Sequence, residues 1–579
     1  MQTVKKLLSR EVPVPEALLM VLEEAGIDMI FGIPGGRSQA IFAALHDHRD
    51  KIRPVTVRHE SLAGVMAEAY GRLTGKPGVA MGQGLFMLSN ALIGVLEAHL
   101  GCSPMLLLGD LSDNAPFSHH APYQAGTGEY GTWDAKQSFS GITKMTVLPK
   151  DGSEAVQCLQ LALKHSLAGE RGPVAVLFHS HALDAKVGPQ STPQLYSTHP
   201  YLSTGQPSAS LKDVQEASRL LTSAKKPVII AGNGVRVGLA YQELQDLAEE
   251  LVCPVATTAA GKGVFNECHA LALGVAGNFG LPIANHCIAE ADVVLVVGSK
   301  LSPTFTCREN PEFLDPQRQI IIQLDIEPTN ASWSFPCHLA LIGDARVLLN
   351  DLAGLSRESG GTKADDAARR KKDIARLKRD LGYFDLSESA GQEIPIRPQR
   401  IIEELNRSLD DDTIVTCDAG ENRLFMIHYF QCRRAGCFLA PVATGGMGYA
   451  IPAGLTAKLL YPRKRVVAVC GDGGFSMSLP GLLTALDEDI PLTVLVFNNS
   501  HYGWVRHNQG DRPVCSQLGE TNFAHIAKAM GCDGLRVEKP QQLRPALLKA
   551  LKSKKPAVID VAITMDASFK DVTSPLVKR

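Results

Sequence analysis

Short apolar runs alternate with longer amphipathic segments along most of the chain, and this alternation predicts the fold class. In the N-terminal third, Asp28–Phe31 and Met105–Leu108 have the length and aliphatic content of buried strands. Ser61–Leu73, which lies between them, has the spacing of a helix. Strands that alternate with helices are joined by crossovers, so the pattern predicts doubly wound parallel sheets of the α/β class. The other strand-like runs are Val55–Val57, Val79–Met81, Pro173–Phe178, Pro227–Ala231, Val293–Val297, Gln319–Leu324, Thr413–Thr416, Val466–Cys470, Leu492–Phe497 and Val558–Val561.

Two stretches of different composition separate three blocks of this pattern. Residues 184–210 are rich in Pro, Ser, Thr and Gln, which is typical of a linker. Residues 355–395 contain a Gly-Gly pair and a basic helical run, Arg369–Arg379, and predict a second, partly helical linker. We therefore expect three α/β domains, at residues 11–186, 207–354 and 396–579.

Composition narrows the class of protein. Apolar residues make up 45% of the chain and charged residues 20%, which is the profile of a soluble globular protein. A net charge of −2 provides no basic field for nucleic acid or an anionic membrane, and no apolar run is long enough to span one. No apolar segment follows Lys5 and Lys6 as in a secretory signal, and the 13 cysteines contain no CxxC pair. We expect reduced thiols and a cytoplasmic location.

The most informative motif links two of the predicted strands. Val466–Cys470 ends in Gly471-Asp472-Gly473-Gly474, and the strand after the next helical segment ends at Asn498-Asn499. Strand–helix–strand order places both polar ends at the carboxyl edge of a sheet, where open α/β sheets bind ligands. Asp472, the Asn499 amide and the His501 carbonyl would offer the oxygens that Mg²⁺ prefers, and the glycines let backbone approach phosphates. Gly-Asp-Gly alone would also fit an ordinary turn.

In that context, the spacing of Asp472 and Asn499 resembles the thiamine diphosphate (ThDP) signature of the acetolactate synthase and pyruvate decarboxylase superfamily. The resemblance covers essentially the whole chain. It implies ThDP and Mg²⁺ as cofactors, with an N-terminal pyrimidine-binding domain, a central domain related to nucleotide-binding folds, and a C-terminal diphosphate-binding domain. After a central strand, Ala231–Gly234 forms a glycine turn, and relatives hold FAD, ADP or nothing in that domain.

Glu60 lies between a predicted strand and the helix Ser61–Leu73. The helix dipole alone would favour a glutamate there. The surrounding RHESLAGVMAEAYGRLTGKPGVA, however, resembles the glutamate segment of the family. The resemblance implies that Glu60 protonates the aminopyrimidine ring of ThDP and so promotes loss of the thiazolium proton, a task that suits a carboxyl in a dry pocket. It also implies a homodimer or homotetramer, in which Glu60 of one subunit faces the diphosphate of another.

Three further segments resemble cofactor-binding loops. In Thr444–Tyr449, Met447 corresponds to the side chain that bends ThDP, although a core methionine would also fit. Asp418–Asn422 resembles the diphosphate-side loop, and Met81–Asn90 is a longer version of a glycine loop whose Asn aligns with Asn90. The residues assigned to the cofactor are Glu60, Asn90, Gly420, Glu421, Asn422, Gly445, Gly446, Met447, Asp472, Gly473, Gly474, Asn499, His501 and Gly503, of which Asp472, Asn499 and His501 would bind Mg²⁺.

The substrate-selecting positions of the known subfamilies are not matched. Acetolactate synthases carry a Phe-Gln-Glu segment where this chain has Tyr130-Gly131-Thr132, and a Trp where it has Asn508. The proton-handling Glu of pyruvate decarboxylases corresponds to Val505. His119-His120 is similar to the catalytic His pair of such decarboxylases but lies several residues from the expected place, and a solvated loop pair explains it too.

These residues predict decarboxylation of a small-molecule 2-oxo acid, followed by carboligation to an acceptor carbonyl, as in acetolactate synthase. The altered segments leave open a simple 2-oxoacid decarboxylase, or a ThDP-dependent lyase or hydrolase of a diketone or 2-hydroxyacyl-CoA. A non-catalytic ThDP-binding subunit is a further alternative, against which Glu60, Asp472 and Asn499 all argue.

Overall fold

The structure is a computed structural model that describes residues 4–113, 123–202, 205–384 and 391–577. The chain divides into two compact units. Unit 1 comprises Met1–Gly205 with Leu455–Leu460 and Ser478–Ile490, and unit 2 comprises Gln206–Gly454, Tyr461–Met477 and Pro491–Arg579. His119 and His120 lie outside the described residues, so their role stays a prediction.

Unit 1 contains a six-stranded sheet in which every pairing is parallel, in the order β3-β2-β4-β5-β7-β6. The inner strands β5 and β7 are buried along their whole length, because helices cover both faces of a parallel sheet. A short antiparallel ribbon pairs β1 with β8. The strands are β1 (Val12–Pro13), β2 (Met29–Gly32), β3 (Arg53–Thr56), β4 (Gly78–Gln83), β5 (Met105–Asp110), β6 (Met145–Val147), β7 (Pro173–Phe178) and β8 (Lys186–Val187).

The helices of this part of the chain show why Glu60 begins a helix. The His59 side chain accepts a hydrogen bond from the Ser61 N–H and so caps α3, which ends at Gly75 in the left-handed conformation (φ 70°). The helices are α1 (Val14–Glu24), α2 (Gln39–Ala44), α3 (Glu60–Thr74), α4 (Gly84–Ser89), α5 (Leu92–Leu100), α6 (Ala135–Ser140), α7 (Gly152–Leu167), α8 (Ser180–Leu183) and α9 (His199–Leu202).

Unit 2 contains two more six-stranded parallel sheets. The first has the order β11-β10-β9-β12-β13-β14, and the second has the order β16-β15-β17-β18-β20-β19. The first is built from β9 (Pro227–Ala231), β10 (Val255–Thr257), β11 (Ala272–Val275), β12 (Val293–Val297), β13 (Ile320–Asp325) and β14 (Leu339–Ile342). The second is built from β15 (Ile414–Cys417), β16 (Phe438–Leu439), β17 (Val466–Gly471), β18 (Thr493–Asn498), β19 (Asp533–Val537) and β20 (Ala557–Ala562).

Fourteen further helices follow in the described residues, along with short 3₁₀ turns that include Phe569–Val572. None of the helices in the described residues is long and apolar enough to cross a membrane. They are α10 (Leu211–Ser223), α11 (Asn233–Val237), α12 (Tyr241–Leu251), α13 (Pro282–Ala289), α14 (Ala345–Glu358), α15 (Ala364–Leu381), α16 (Pro398–Ser408), α17 (Glu421–Tyr429), α18 (Ala450–Leu460), α19 (Asp472–Ser478), α20 (Gly481–Asp487), α21 (Gly503–Gln509), α22 (Phe523–Ala529) and α23 (Pro540–Ala550).

The predicted α/β class is confirmed, with three parallel sheets. The exact domain boundaries remain a prediction. The segment 355–395 is partly helical, as predicted, because it contains α15 (Ala364–Leu381), whose Arg370 donates to the Leu251 and Ala224 carbonyls. Its role as a linker stays a prediction. One local expectation needs correction. The glycine segment before Asn90 is largely helical, since α4 occupies Gly84–Ser89.

Candidate functional site

The carboxyl ends of β17 and β18 bring the two halves of the predicted metal motif together in unit 2. The strands are direct neighbours, with Gly471 opposite Phe497. Asp472 is the first residue of α19 and is almost fully buried. Its Oδ2 accepts hydrogen bonds from the N–H groups of Asn499 (3.1 Å) and His501 (3.3 Å), and its Oδ1 accepts one from Gly473 (2.7 Å).

The loop after β18 is held in place by its own hydrogen bonds. Asn499 Oδ1 accepts from the His501 N–H at 3.1 Å, so this amide oxygen lies beside the Asp472 carboxylate. The His501 ring Nδ1 lies 2.7 Å from the Asn499 carbonyl and must carry a proton, because a carbonyl can only accept. A carboxylate and an amide oxygen are thus gathered at the sheet edge, in a set that suits a hard cation.

The charge of Asp472 is not balanced by a basic side chain. In the described parts of the chain, no Lys, Arg or His forms an ion pair with this carboxylate, which relies on backbone N–H groups alone. Burial raises its pKa above the ordinary value for Asp. A bound divalent cation would relieve this cost, so the residues present fit a metal ion at this position.

The loop Asp418–Asn422 lies against the same motif. Gly420 has φ +106°, a conformation that favours glycine, and α17 begins at the next residue. The Asn422 Nδ2 donates to the Asp418 carbonyl at 3.1 Å, while its Oδ1 lies 3.3 Å from where a Cβ on Gly471 would stand. The predicted diphosphate-side loop and the Gly-Asp-Gly motif are therefore adjacent in space.

Close packing explains why three positions of the site are glycine. A Cβ at Gly474 would approach Asp418 Oδ2 to 2.7 Å, and one at Gly473 would approach the Tyr502 ring to 2.6 Å. A Cβ at Gly503 would clash with the Glu421 carboxyl. A side chain at any of these positions would push apart segments that the site needs together.

The Gly-Gly-Met segment also reaches this cluster. Gly445 has φ +66°, and the Gly446 N–H donates to Thr444 Oγ1 at 3.3 Å. Met447 leaves 37% of its surface exposed, and its sulfur lies 3.8 Å from where a Cβ on Gly473 would stand. Met447 is therefore not a core residue, and its role as the wedge that bends ThDP stays a prediction.

Asp418 anchors this segment. It is fully buried, and its carboxyl accepts from the N–H groups of Ala419 (2.8 Å), Gly448 (2.9 Å) and Tyr449 (3.4 Å). Burial outweighs these bonds and raises the pKa of Asp418 to about 6. Sequence reasoning included the residue in the loop but gave it no role, because a carboxyl that anchors backbone leaves no separate pattern.

Glu421, which was predicted as a cofactor residue, is paired with His507, which was not predicted. The His507 Nδ1 lies 2.7 Å from Glu421 Oε1, and its Nε2 lies 2.8 Å from the Met565 carbonyl. The same Glu421 oxygen accepts from the Phe569 N–H at 2.9 Å. Burial raises the pKa of Glu421. The only signal in the sequence was a histidine one helical turn beyond Gly503.

In unit 1, the structure brings together Glu60 and Asn90, the two residues predicted there. The Asn90 Nδ2 donates to Glu60 Oε2 at 2.8 Å; Asn90 directly follows α4, and Glu60 is the first residue of α3. A further polar residue at this sheet edge was not predicted: Gln83, at the end of β4, donates to Ser112 Oγ (3.0 Å) and Gln124 Oε1 (2.6 Å).

The three parts of the chain that contain the parallel sheets each match a known protein family. Three family models match successive parts of the chain, each described as part of the thiamine pyrophosphate enzymes: the N-terminal TPP binding domain at residues 13–127, the central domain at 214–352 and the C-terminal TPP binding domain at 418–561. The chain belongs to the thiamine pyrophosphate enzymes and is therefore a ThDP-dependent enzyme.

Full-length relatives narrow the likeness to acetolactate synthases. A probable acetolactate synthase large subunit of Methanococcus aeolicus is 30% identical over 96% of this chain and 93% of its own length. That of Methanocaldococcus jannaschii is 29% identical over 95% and 91%. The acetolactate synthase isozyme 3 large subunit of Escherichia coli K12 is 29% identical over 96% and 95%. The protein is acetolactate synthase-like.

Proposed function

We propose that the protein uses ThDP and Mg²⁺ to decarboxylate a 2-oxo acid and to join the product to an acceptor carbonyl. The observation that carries this proposal is the buried Asp472 carboxylate, which has only backbone donors and lies beside the Asn499 oxygen. The acetolactate synthase names of the relatives support the choice of reaction.

In this proposal, Asp472, Asn499 Oδ1 and the His501 carbonyl would hold Mg²⁺, and the charge of the cation would offset that of the diphosphate. Gly473 and Gly474 bring backbone close to the phosphates. Met447, which is partly exposed beside Gly473, supports the bent form of the cofactor. When bound, ThDP supplies a cationic ring that accepts the electron pair released by decarboxylation.

Glu60 is the proposed catalytic residue of the chain, and Asn90 positions it. The hydrogen bond from Asn90 Nδ2 fixes one carboxyl oxygen and leaves the other available to exchange a proton with the pyrimidine ring. Glu60→Gln keeps the Asn90 bond but cannot exchange the proton. We expect turnover to fall about 100-fold or more, with ThDP affinity changed little.

The matched control for that variant is Glu11→Gln, at an exposed glutamate of the same unit. Steady-state turnover and calorimetric ThDP binding are measured for both variants. Full turnover in Glu60→Gln would contradict the catalytic role and leave the helix dipole as the explanation of this glutamate.

The reaction is tested with purified protein, ThDP, Mg²⁺ and pyruvate, by following CO₂ release and identifying the products by mass spectrometry. We expect acetolactate, and we expect Asp472→Asn to lose both activity and Mg²⁺-dependent ThDP binding. Asp511→Asn, at an exposed position of the same unit, is the control and should keep both.

Two other outcomes would redirect the assignment. Acetaldehyde alone would favour the simple decarboxylase. No CO₂ from pyruvate, with ThDP bound, would overturn carboligation of pyruvate and favour a diketone or 2-hydroxyacyl-CoA substrate. One position favours the second outcome. Acetolactate synthases have at position 508 the Trp that selects the second substrate. Here Asn508 is exposed, and its side chain donates to the Trp504 carbonyl of its own helix.

The assembly and the central domain need separate measurements. A homodimer or homotetramer is the proposed state, tested by light scattering at several protein concentrations. The visible absorption spectrum of the purified protein tests for FAD, for which the glycine turn Ala231–Gly234 is the only motif we identified. The cytoplasmic location stays a prediction.

A further inference from the structure

The pair Glu421 and His507 places an acidic group where the proposed function requires a highly anionic ligand. Glu421 is the first residue of α17 and directly follows Gly420 in the diphosphate-side loop. Its Oε2 packs against Gly503, two residues beyond His501, so closely that a Cβ there would clash. A carboxylate at this place would repel a diphosphate.

The hydrogen bonds of His507 fix how many protons the pair holds. Its Nε2 faces the Met565 carbonyl, which can only accept, so Nε2 carries a hydrogen. Its Nδ1 faces Glu421 Oε1 at 2.7 Å, and that contact needs a hydrogen on one of the two atoms. The pair is therefore either imidazolium with carboxylate or imidazole with carboxylic acid, and in both forms its net charge is zero.

The surroundings keep this proton in place. Both side chains are largely buried, with 16% of His507 and 7% of Glu421 exposed. The same Glu421 oxygen also accepts from the Phe569 N–H, which fixes its position. Burial and the nearby Asp571 both oppose a bare carboxylate at Glu421 and raise its pKa.

We propose that Glu421 and His507 hold one proton between them, and that this proton lets a carboxyl group lie beside the diphosphate of ThDP without repelling it. The inference rests on the proposed ThDP site. It makes His507 a positioning and charge-balancing residue for the cofactor rather than a group that touches the substrate.

Two glutamine substitutions separate charge from structure. In His507→Gln, the amide NH₂ can donate to both Glu421 and the Met565 carbonyl, so the hydrogen bonds survive but Glu421 keeps its full charge. In the double variant Glu421→Gln/His507→Gln, the same bonds form and the charge is gone. Glu421→Gln alone creates a hydrogen-bond mismatch in either orientation of the new amide. If its oxygen stays at the Oε1 position, it faces the lone pair of a neutral His507. If its NH₂ takes that position, it faces the Phe569 N–H.

The experiment measures the Kd of ThDP, in the presence of Mg²⁺, by calorimetry for the full-length parent and the three variants. We expect His507→Gln to weaken binding roughly 10- to 100-fold, the effect of one unit charge several ångströms from the diphosphate at an effective dielectric constant of about 20. The double variant should return to within about threefold of the parent. Thiamine, which lacks phosphates, should bind the parent and His507→Gln equally.

The opposite pattern would overturn the inference. If the pair only ties α21 to the C-terminal segment, the double variant will bind ThDP no better than His507→Gln, and thiamine affinity will fall in parallel. Equal ThDP affinity of His507→Gln and the parent would also overturn it, while leaving the proposed function intact. Failure of the parent to bind ThDP at all would overturn the proposed site and this inference together.

Discussion

Replacing Asp418 with Asn should make the cofactor-free protein more stable at neutral pH. Asp418 is fully buried, and its pKa is raised by burial from 3.8 to about 6. The folded state thus binds this proton more tightly than the unfolded state does. The stability that the group contributes is complete below pH 3.8 and is lost as the pH rises through about 6.

The size of the effect follows from that shift. A difference of about two pKa units corresponds to roughly 3 kcal/mol of unfolding free energy, missing at pH 7 and above. Asparagine is neutral at every pH and can keep three of the bonds, because Ala419, Gly448 and Tyr449 all donate to the same oxygen, Oδ1. The Gly448 N–H also donates to Oδ2 at 3.1 Å, and this contact is lost when an amide nitrogen takes that place, so the value is an upper bound. For a unit of about 350 residues, this corresponds to a rise in Tm of about 4 °C.

The assay is calorimetric unfolding of the cofactor-free protein at several pH values between 4 and 8, on the parent and Asp418→Asn. The difference in Tm should be near zero or negative at pH 4 and should grow in favour of the variant up to pH 7. The control is Asp560→Asn. That carboxylate is equally buried but lies 2.8 Å from Arg536, so its neutralisation should destabilise the protein. A Tm difference that does not change with pH would refute the reasoning.

Two further predictions concern close packing and buried charge. Gly503→Ala should weaken ThDP binding about tenfold or more, because the new methyl group displaces the Glu421 carboxyl; calorimetric binding checks this, and unchanged affinity would contradict the packing. Both carboxyl oxygens of the buried Glu267 lie 3.0 Å from the Lys262 Nζ. Lys262→Met should lower the unfolding free energy by about 3 kcal/mol or more, because Glu267 then loses its counter-charge. The double variant Lys262→Met/Glu267→Gln should recover part of that loss in thermal unfolding, and no recovery would contradict the pairing.

Strands could be predicted from the sequence because those of a parallel sheet are buried on both faces and therefore form continuous apolar runs. Pro173–Phe178, Pro227–Ala231 and Val293–Val297 were predicted with the bounds that the structure has. Helices in surface segments were harder to predict. In α15 only Arg370 and Ile374 are buried, so the basic run Arg369–Arg379 predicts a helix, but its weak apolar periodicity does not show what that helix packs against.

The parts of the site that could be predicted are those in which a local motif sets the chemistry. Asp472 and Asn499 follow neighbouring strands, so the topology alone brings them to one edge. The unpredicted parts depend on segments far apart in the chain. Glu421 meets His507, Phe569 and Gly503 only because the ends of several elements converge, and no spacing in the sequence encodes such a meeting.

Three carboxyl groups, Asp418, Glu421 and Asp472, lie within one cluster of loops, and burial raises the pKa of each. The cost of burying each carboxyl group is offset by different partners. Asp418 is satisfied by backbone N–H groups and holds the Gly448 turn, while Glu421 shares a hydrogen bond with His507. Only Asp472 has backbone donors together with a neighbouring side-chain oxygen that can also bind a metal. Because a diphosphate would add further negative charge, a cation at Asp472 would turn this acidic cluster into a site for an anion. The charge of the loops is therefore a physical argument for the proposed Mg²⁺ that does not depend on the resemblance to relatives.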